Sequence, residues 1–335
     1  NLGLADALRL QEAQGNLTYF GIRHEGAASF ACSAYAKLSG RPAACLAIAG
    51  PGATNLLTGL WDAHMDRAPV LALTGQVNTQ VLGPGAFQEI DLASAFKAVA
   101  AWSQTVLSTG NYAELMTLAL KHAVVQRGVG HLIFPDEVQT LTAPDAPASG
   151  PDGRLGEVGI TPAAESIEGA VGLIARSRRP AIIVGYGARG SMGEVVALAN
   201  RLGAPVLTTF KGKGQIPDDH PLAAGVLGRS GTPIASSLMS GADLLIVFGA
   251  SFSDHTGIDR TKPIIQVDYD RLTLGKFHAV TVPVWGEIAI TAEAIRDRLP
   301  KDLAGVDVRE ALASRFNAGN DLGFVGAAGG EGGRL

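Results

Sequence analysis

Ala43-Ala44-Cys45-Leu46-Ala47-Ile48-Ala49 is an unbroken apolar run, and it passes directly into Gly50-Pro51-Gly52-Ala53-Thr54-Asn55. The first part has the length and composition of a strand covered on both faces. The second is a turn of small residues, with a helical pattern over Ala53–Met65 behind it. A strand handed to a helix through such a turn is the repeating unit of a doubly wound parallel sheet. The turn has a second property: its bare backbone lets a flat ligand approach closely.

The same unit recurs outward from this stretch. Upstream, a strand at Leu17–Ile22 runs into Gly21-Ile22-Arg23-His24-Glu25-Gly26-Ala27-Ala28-Ser29 and a helix over Glu25–Leu38. Downstream, further strands are expected at Val70–Thr74, Leu132–Phe134, Ala181–Val184, Val206–Thr209, Leu244–Phe248, Ile264–Val267 and Thr281–Val284. Helical patterns cover Tyr112–Gln126, Glu165–Arg176, Gly193–Leu202 and Glu287–Arg298. Glycine, 43 of 335 residues, gathers at the ends of the apolar runs, where strand-to-helix turns need it. The stretch Thr142–Thr161 is rich in Pro, Gly, Ser and Asp without an apolar period and reads as a linker. The expected organisation is α/β with two doubly wound domains: 1–141, a linker 142–161, a second domain 162–303 and a tail 304–335. The start at Asn1 and the glycine-rich end from Asn317 read as the edges of a fragment.

Composition narrows the function. Thirty-one acids against 27 bases give a net charge of −4, with no Lys/Arg run, so a nucleic-acid partner is excluded. Cys32 and Cys45 lack metal-ligand spacing and read as small buried hydrophobes. No apolar run reaches a membrane span, and no signal peptide is visible. The reading is a soluble, cytoplasmic protein, with membrane contact left open.

Two places carry chemistry. Glu25 opens a helix, where the dipole favours an anion. The Gly-Ala-Ala-Ser-Phe-Ala face behind it is expected to desolvate the carboxyl and raise its pKa. Asn55 follows the Gly50–Gly52 turn with an amide able to bond a polar ring edge. In the second half, Gly185-Tyr186-Gly187-Ala188-Arg189-Gly190 follows a strand and matches a dinucleotide cradle. The acid that a nicotinamide ribose needs is missing after the next strand, which ends Thr208-Thr209-Phe210-Lys211. Asp268, at the end of a later strand, is a carboxylate that a ribose or adenine edge could meet; a solvent-facing strand-end Asp is the alternative.

Five ordered motifs of the first half closely resemble the pyrimidine-binding domain of thiamine-diphosphate enzymes. They are Arg23–Ala28, Ala49–Asn55, Gly59–His64, Ala68–Gly75 and Phe87-Gln88-Glu89. The branch is that of pyruvate oxidase and the acetolactate synthase large subunit. The second half resembles the central domain of the same family through Gly187 onward, Gly225–Thr232, Phe248–Phe252 and Val267–Asp270.

The resemblance implies that Glu25 hydrogen-bonds a pyrimidine ring nitrogen of thiamine diphosphate and so promotes loss of the thiazolium proton. Pro51, Gly52 and Asn55 then line that cofactor. Gln88 and Phe87 face the thiazolium and substrate, with core packing as the alternative for Phe87. It further implies FAD on the central domain, at Gly187, Arg189, Gly228, Thr232, Gly249, Ser251 and Asp268. Synthases carry a phosphate-pairing Arg where Ser251 stands; Arg189 is the substitute charge. A third, diphosphate-binding domain, which supplies Mg2+ ligands, is missing or incomplete: Gly329–Gly333 only echoes its first motif. The implied assembly is a homodimer or homotetramer.

The expected activity is thiamine-diphosphate- and FAD-dependent decarboxylation of pyruvate or a similar 2-oxo acid, of the pyruvate oxidase type. The lean rests on Lys37–Gly40, Leu132–Asp136 and the absent Arg. The alternatives are acetolactate synthase, with structural FAD, and a non-catalytic nucleotide-binding module.

Overall fold

A computed structural model describes residues 2–143, 153–156, 159–303 and 305–317. It divides into two compact units, Asn1–Val158 and Gly159–Leu335, each built on a wholly parallel sheet.

In the first unit the helices α1 (Leu2–Ala13) and α2 (Glu25–Ser39) precede β1 (Ala43–Ala47). Then come α3 (Pro51–Asn55), α4 (Leu57–Met65), β2 (Val70–Gln76), α5 (Leu92–Phe96), β3 (Ala100–Thr105), α6 (Tyr112–Val125) and β4 (Val129–Pro135). The sheet order is β1-β2-β4-β3. Every residue of β2 and β4 is buried, because alternate side chains feed two cores. One core joins Val70 and Ala72 to Cys32, Leu60 and Phe96; the other joins Leu71, Leu73 and Leu132 to Ala119. This is why the strands read as near-continuous apolar runs.

Two features fix α2 against α4. Gly59 lies so close that an added Cβ would stand 2.5 Å from the Phe30 amide nitrogen. Lys37 then bridges Asp62 at 2.5 Å and Asp66 at 2.6 Å, while Ser33 donates to Asp62 at 2.7 Å. A fully buried histidine, His131, sits in β4 with its ring nitrogens 2.9 Å from Thr74 Oγ1 and Ser103 Oγ, stacked on Phe96 at 3.9 Å.

The second unit contains α7 (Ala164–Arg176), β5 (Pro180–Val184), α8 (Met192–Leu202), β6 (Val206–Thr208) and β7 (Ala223–Val226). It continues with α9 (Pro233–Gly241), β8 (Leu244–Phe248), β9 (Ile264–Asp268), β10 (Val282–Trp285), α10 (Ile288–Arg298) and α11 (Arg309–Asn317). The order β10-β9-β8-β5-β6-β7 reverses direction between β5 and β8, the topological switch point at which doubly wound sheets open a crevice. Residues of α7, α8 and α10 cover one face, and Ile234, Ala235 and Leu312 contribute to the core on the other.

The structure departs from the sequence reading in several places. Leu17–Ile22 is not a strand: it has no ladder partner among the described residues, and Tyr19, Phe20 and Ile22 are exposed. The helix expected over Ala53–Met65 is two helices meeting at Leu56. Strands β3 and β7 are additions, since β3 is a half-exposed edge strand and β7 spans only Ala223–Val226. Helix α11 lies past the boundary expected at 303, with Leu312 buried. Most of the linker segment, and the Gly329–Gly333 echo, fall outside the described residues. No helix among the described residues is long and apolar enough to cross a membrane.

Candidate functional site

The first site forms where α2 begins beside the turn after β1. His24 caps α2 by accepting the Gly26 amide on Nδ1 at 3.1 Å, which leaves Glu25 as the first helical residue. Asn55, closing α3, donates Nδ2 to Glu25 Oε2 at 3.1 Å. Gly52 lies against the other oxygen: a Cβ there would stand 3.1 Å from Glu25 Oε1 and 2.5 Å from Ile48 Cγ2. Pro51 starts α3 after Gly50, whose φ of 70° favours glycine. Glu25, Pro51, Gly52 and Asn55 are therefore brought together.

Glu25 is half-buried, not desolvated. Its pKa is lowered rather than raised, first by its own backbone N–H and then by the Asn55 amide, which outweigh burial. Hydrogen bonds to the charged form win over the apolar face expected from sequence.

The loop between β2 and α5 reaches the same turn. A Cβ on Gly50 would lie 2.8 Å from Gln88 Cβ and 2.9 Å from Gln88 Cα. Gln88 therefore packs directly on the Gly50 backbone. Phe87 next to it is 90% exposed, which removes the core-packing alternative and leaves its ring at the surface. His64, within the Gly59–His64 motif, stacks on Trp61 at 5.5 Å.

The second site is the switch-point crevice. The Gly187 amide donates to Gly249 O at 2.9 Å, and the Gly185 amide to Phe248 O at 2.9 Å. Gly187 and Gly249 touch through their backbones, and Gly249 has φ +56°. Arg189 turns its guanidinium over the Tyr186 ring at 4.0 Å and donates to the Tyr186 carbonyl, so its charge is held at this turn. Gly228, φ +126°, passes tightly under the His255 carbonyl, which accepts the Arg229 amide at 3.0 Å. Thr232 caps α9 by accepting the Ala235 amide at 3.3 Å. Ser251 is exposed, two residues after Gly249. Asp268 is buried, and its Oδ1 accepts the Asp270 amide at 2.9 Å; it is not the solvent-facing strand-end acid of the alternative reading.

Sequence reasoning missed three residues. Gln76 bridges the neck of the loop that carries Phe87, donating to Ile90 O at 2.7 Å and accepting from the Val77 amide at 2.9 Å. Glu89 binds backbone amides of that loop. Gln215 donates to Gly185 O at 2.9 Å beside the crevice. Glu89 closes the Phe87-Gln88-Glu89 motif, but no spacing marks its role or those of Gln76 and Gln215, because each acts on backbone rather than on another side chain.

Residues 1–95 match the N-terminal thiamine pyrophosphate binding domain of thiamine pyrophosphate enzymes, and residues 167–295 match their central domain. The chain belongs to the thiamine pyrophosphate enzyme family. It is 35% identical over 272 residues to a putative thiamine pyrophosphate-containing protein, YdaP, of Bacillus subtilis, covering 81% of this chain and 47% of that protein. It is 36% identical over 296 residues to a probable acetolactate synthase large subunit of Methanococcus aeolicus, covering 85% and 49%. With the acetolactate synthase large subunit of Corynebacterium glutamicum the identity is 33% over 322 residues, covering 90% and 50%. The chain spans about half the length of these relatives.

Proposed function

We propose that the protein carrying this chain is a thiamine-diphosphate-dependent enzyme of the acetolactate synthase type, acting on pyruvate or a similar 2-oxo acid. The observation that carries the reading is the Glu25 carboxylate, held by Asn55 at a glycine turn and partly open to solvent. Proteins named as acetolactate synthase large subunits align across both units, and they shift the reading away from the pyruvate oxidase type.

The residues of the first site fit the cofactor's pyrimidine. Thiamine diphosphate, when bound, supplies an electron sink for decarboxylation of a 2-oxo acid. Glu25 Oε2 is engaged by Asn55, so Oε1, beside Gly52, is the oxygen left to hold a proton at a ring nitrogen. Exposed Pro51 and the Gly50–Gly52 turn lie beside Glu25 and would border a flat ring held there, and Gln88 and Phe87 of the adjoining loop are proposed to meet substrate. No group of three or more His, Cys, Asp or Glu among the described residues could hold a metal ion. Ligands for the Mg2+ that accompanies the diphosphate are expected outside the described residues.

FAD on the second unit is part of the proposal. Its crevice opens at the strand ends between β5 and β8, with glycine backbone at Gly187 and Gly249. The exposed apolar residues Phe30 and Leu38 of α2 and Trp61 and Met65 of α4 support a second copy of the chain as partner, in a homodimer or homotetramer.

Ser251 keeps the oxidase as a second reading. Incubating the intact protein with thiamine diphosphate, Mg2+, FAD and pyruvate separates them. Acetolactate formation without net flavin bleaching is expected. Bleaching without acetolactate would restore the oxidase, and a protein that fails to bind thiamine diphosphate ends both.

A further inference from the structure

Between Gln76, the end of β2, and Asp91, the N-cap of α5, the chain makes a loop that carries Phe87 and Gln88. Three observations mark this excursion as a built device. Its neck is closed by Gln76, which bonds both Ile90 O and the Val77 amide. Its start is tied to Glu137, which accepts the Thr79 amide at 3.1 Å and the Thr79 hydroxyl. Its tip is gathered by one carboxylate: Glu89 accepts the Gly83 amide on Oε1 at 2.7 Å, and the Gly85 and Ala86 amides on Oε2 at 3.0 and 2.8 Å. Backbone amides converging on an anion form a rigid concavity, and bonds to a charged acceptor are the strong ones.

The residue before that carboxylate is strained. Gln88 has φ +66°, a region that side-chain-bearing residues rarely enter because the Cβ crowds the backbone there. Gln88 nevertheless adopts it, and in that conformation lies on the Gly50 backbone, where a Cβ would have no room. Phe87 projects outward alongside. Something must keep this local arrangement from relaxing, and the Glu89 carboxylate, bonded to the Gly83, Gly85 and Ala86 amides, is placed to do so.

We propose that Glu89 is a positioning residue: by collecting the Gly83, Gly85 and Ala86 amides it fixes Gln88 against Gly50 and presents Phe87 at the turn that faces Glu25. Glu89 does not touch the reacting groups; it acts through Gln88 and Phe87. The proposal rests on the reading of this site as the place of 2-oxo acid chemistry. The lowered Glu89 pKa, caused first by the Gly83 amide and next by that of Ala86, accords with a carboxylate that stays ionised.

The test compares Glu89→Ala and Glu89→Gln in the intact protein. In Glu89→Ala, hydrogen exchange at the Gly83, Gly85 and Ala86 amides is expected to speed up about tenfold or more. A misplaced Gln88 and Phe87 should lower kcat for pyruvate by roughly ten- to a hundredfold. KM and thiamine diphosphate affinity should move by less than about threefold. Glu89→Gln keeps one acceptor oxygen and should recover part of both losses. Wild-type kcat in Glu89→Ala overturns the proposal, as does a change confined to KM or to cofactor affinity. Slow exchange retained in Glu89→Ala overturns it too. A wild-type protein that neither binds thiamine diphosphate nor turns over pyruvate overturns the reading of the site itself, and is recognised before any variant is compared.

Discussion

Asn55 donates its side-chain amide to Glu25 across 3.1 Å and thirty residues of sequence. One residue ends α3 and the other begins α2, so the bond joins two turns of the first unit. It also lowers the Glu25 pKa, second only to the carboxylate's own backbone amide. Asn55 thus has two consequences, orientation and charge.

The charge makes a prediction. Glu25→Gln keeps the shape and an acceptor oxygen but removes the titratable proton. Turnover should fall by roughly 10²–10⁴-fold, the range of a lost general acid–base group, while the flavin absorption expected if the second unit holds FAD persists. Retained turnover would show that Glu25 is only a helix-start acid.

Asn55→Leu removes the orienting bond and the charge effect at once, and the pH profile reads the charge. Without the amide, the Glu25 pKa rises. A carboxylate active when ionised loses activity as pH falls through its pKa, so the acid limb of the pH–rate profile should move to higher pH. An unmoved limb assigns that limb to another group.

His131 governs acid stability. Burial pushes its pKa down to about 3, against about 6.5 in the unfolded chain. The unfolded state therefore takes up a proton that the native state refuses. Stability from this group is full above about pH 6.5 and is lost as pH falls from there toward about 3, by at most about 1.4 kcal/mol per pH unit. The urea midpoint should drop across that window in the wild type. In His131→Gln, which keeps polar partners for Thr74 and Ser103, the midpoint should be lower at neutral pH but flatter with pH. An equally steep dependence would place the acid sensitivity elsewhere.

How much of this was legible in the sequence follows from what kind of interaction each residue makes. Strands β2, β4, β5, β8 and β9 are buried on both faces, and burial leaves mostly apolar runs, with Thr74, Gln76, His131, Gln266 and Asp268 as buried polar exceptions. Strand β3 lies half-exposed at an edge, and β7 is four residues long, so neither leaves such a run. Glu25, Gly52 and Asn55 were visible because a carboxylate, a bare turn and an amide come in motif order. The roles of Glu89 and Gln76 were not, because both bind backbone, which has no sequence signature. The direction of the Glu25 shift is not legible for a related reason: composition shows the apolar face behind the carboxyl, but not the amides that reach its oxygens.

The contact between Gly59 and α2 makes a packing prediction. Gly59→Ala would force α4 away from the Phe30 backbone and loosen the Lys37 bridge to Asp62 and Asp66. Overpacking of this kind costs about 1–3 kcal/mol, read as a lower Tm. Because α2 also carries Glu25 at its start, turnover should fall with stability. A stable but inactive variant would show that α2 shifts without melting; a destabilised, fully active one would uncouple this packing from the site.

Gly249 offers the corresponding test of the second unit. Its φ of +56° and its backbone contact with Gly187 leave no space for a Cβ, which would stand 2.5 Å from the Gly187 carbonyl carbon. Gly249→Ala must push apart the two turns that meet at the switch point between β5 and β8. If FAD lies in that crevice, the purified variant should lose most of its visible flavin absorption, about tenfold or more in affinity. Thiamine diphosphate binding, which is proposed to rest on Glu25, Gly52 and Asn55 in the other unit, should stay within about twofold. Loss of both cofactors would mean that the variant has unfolded, which far-ultraviolet circular dichroism reads directly. Full flavin retention in a folded variant would move FAD away from the glycine turns.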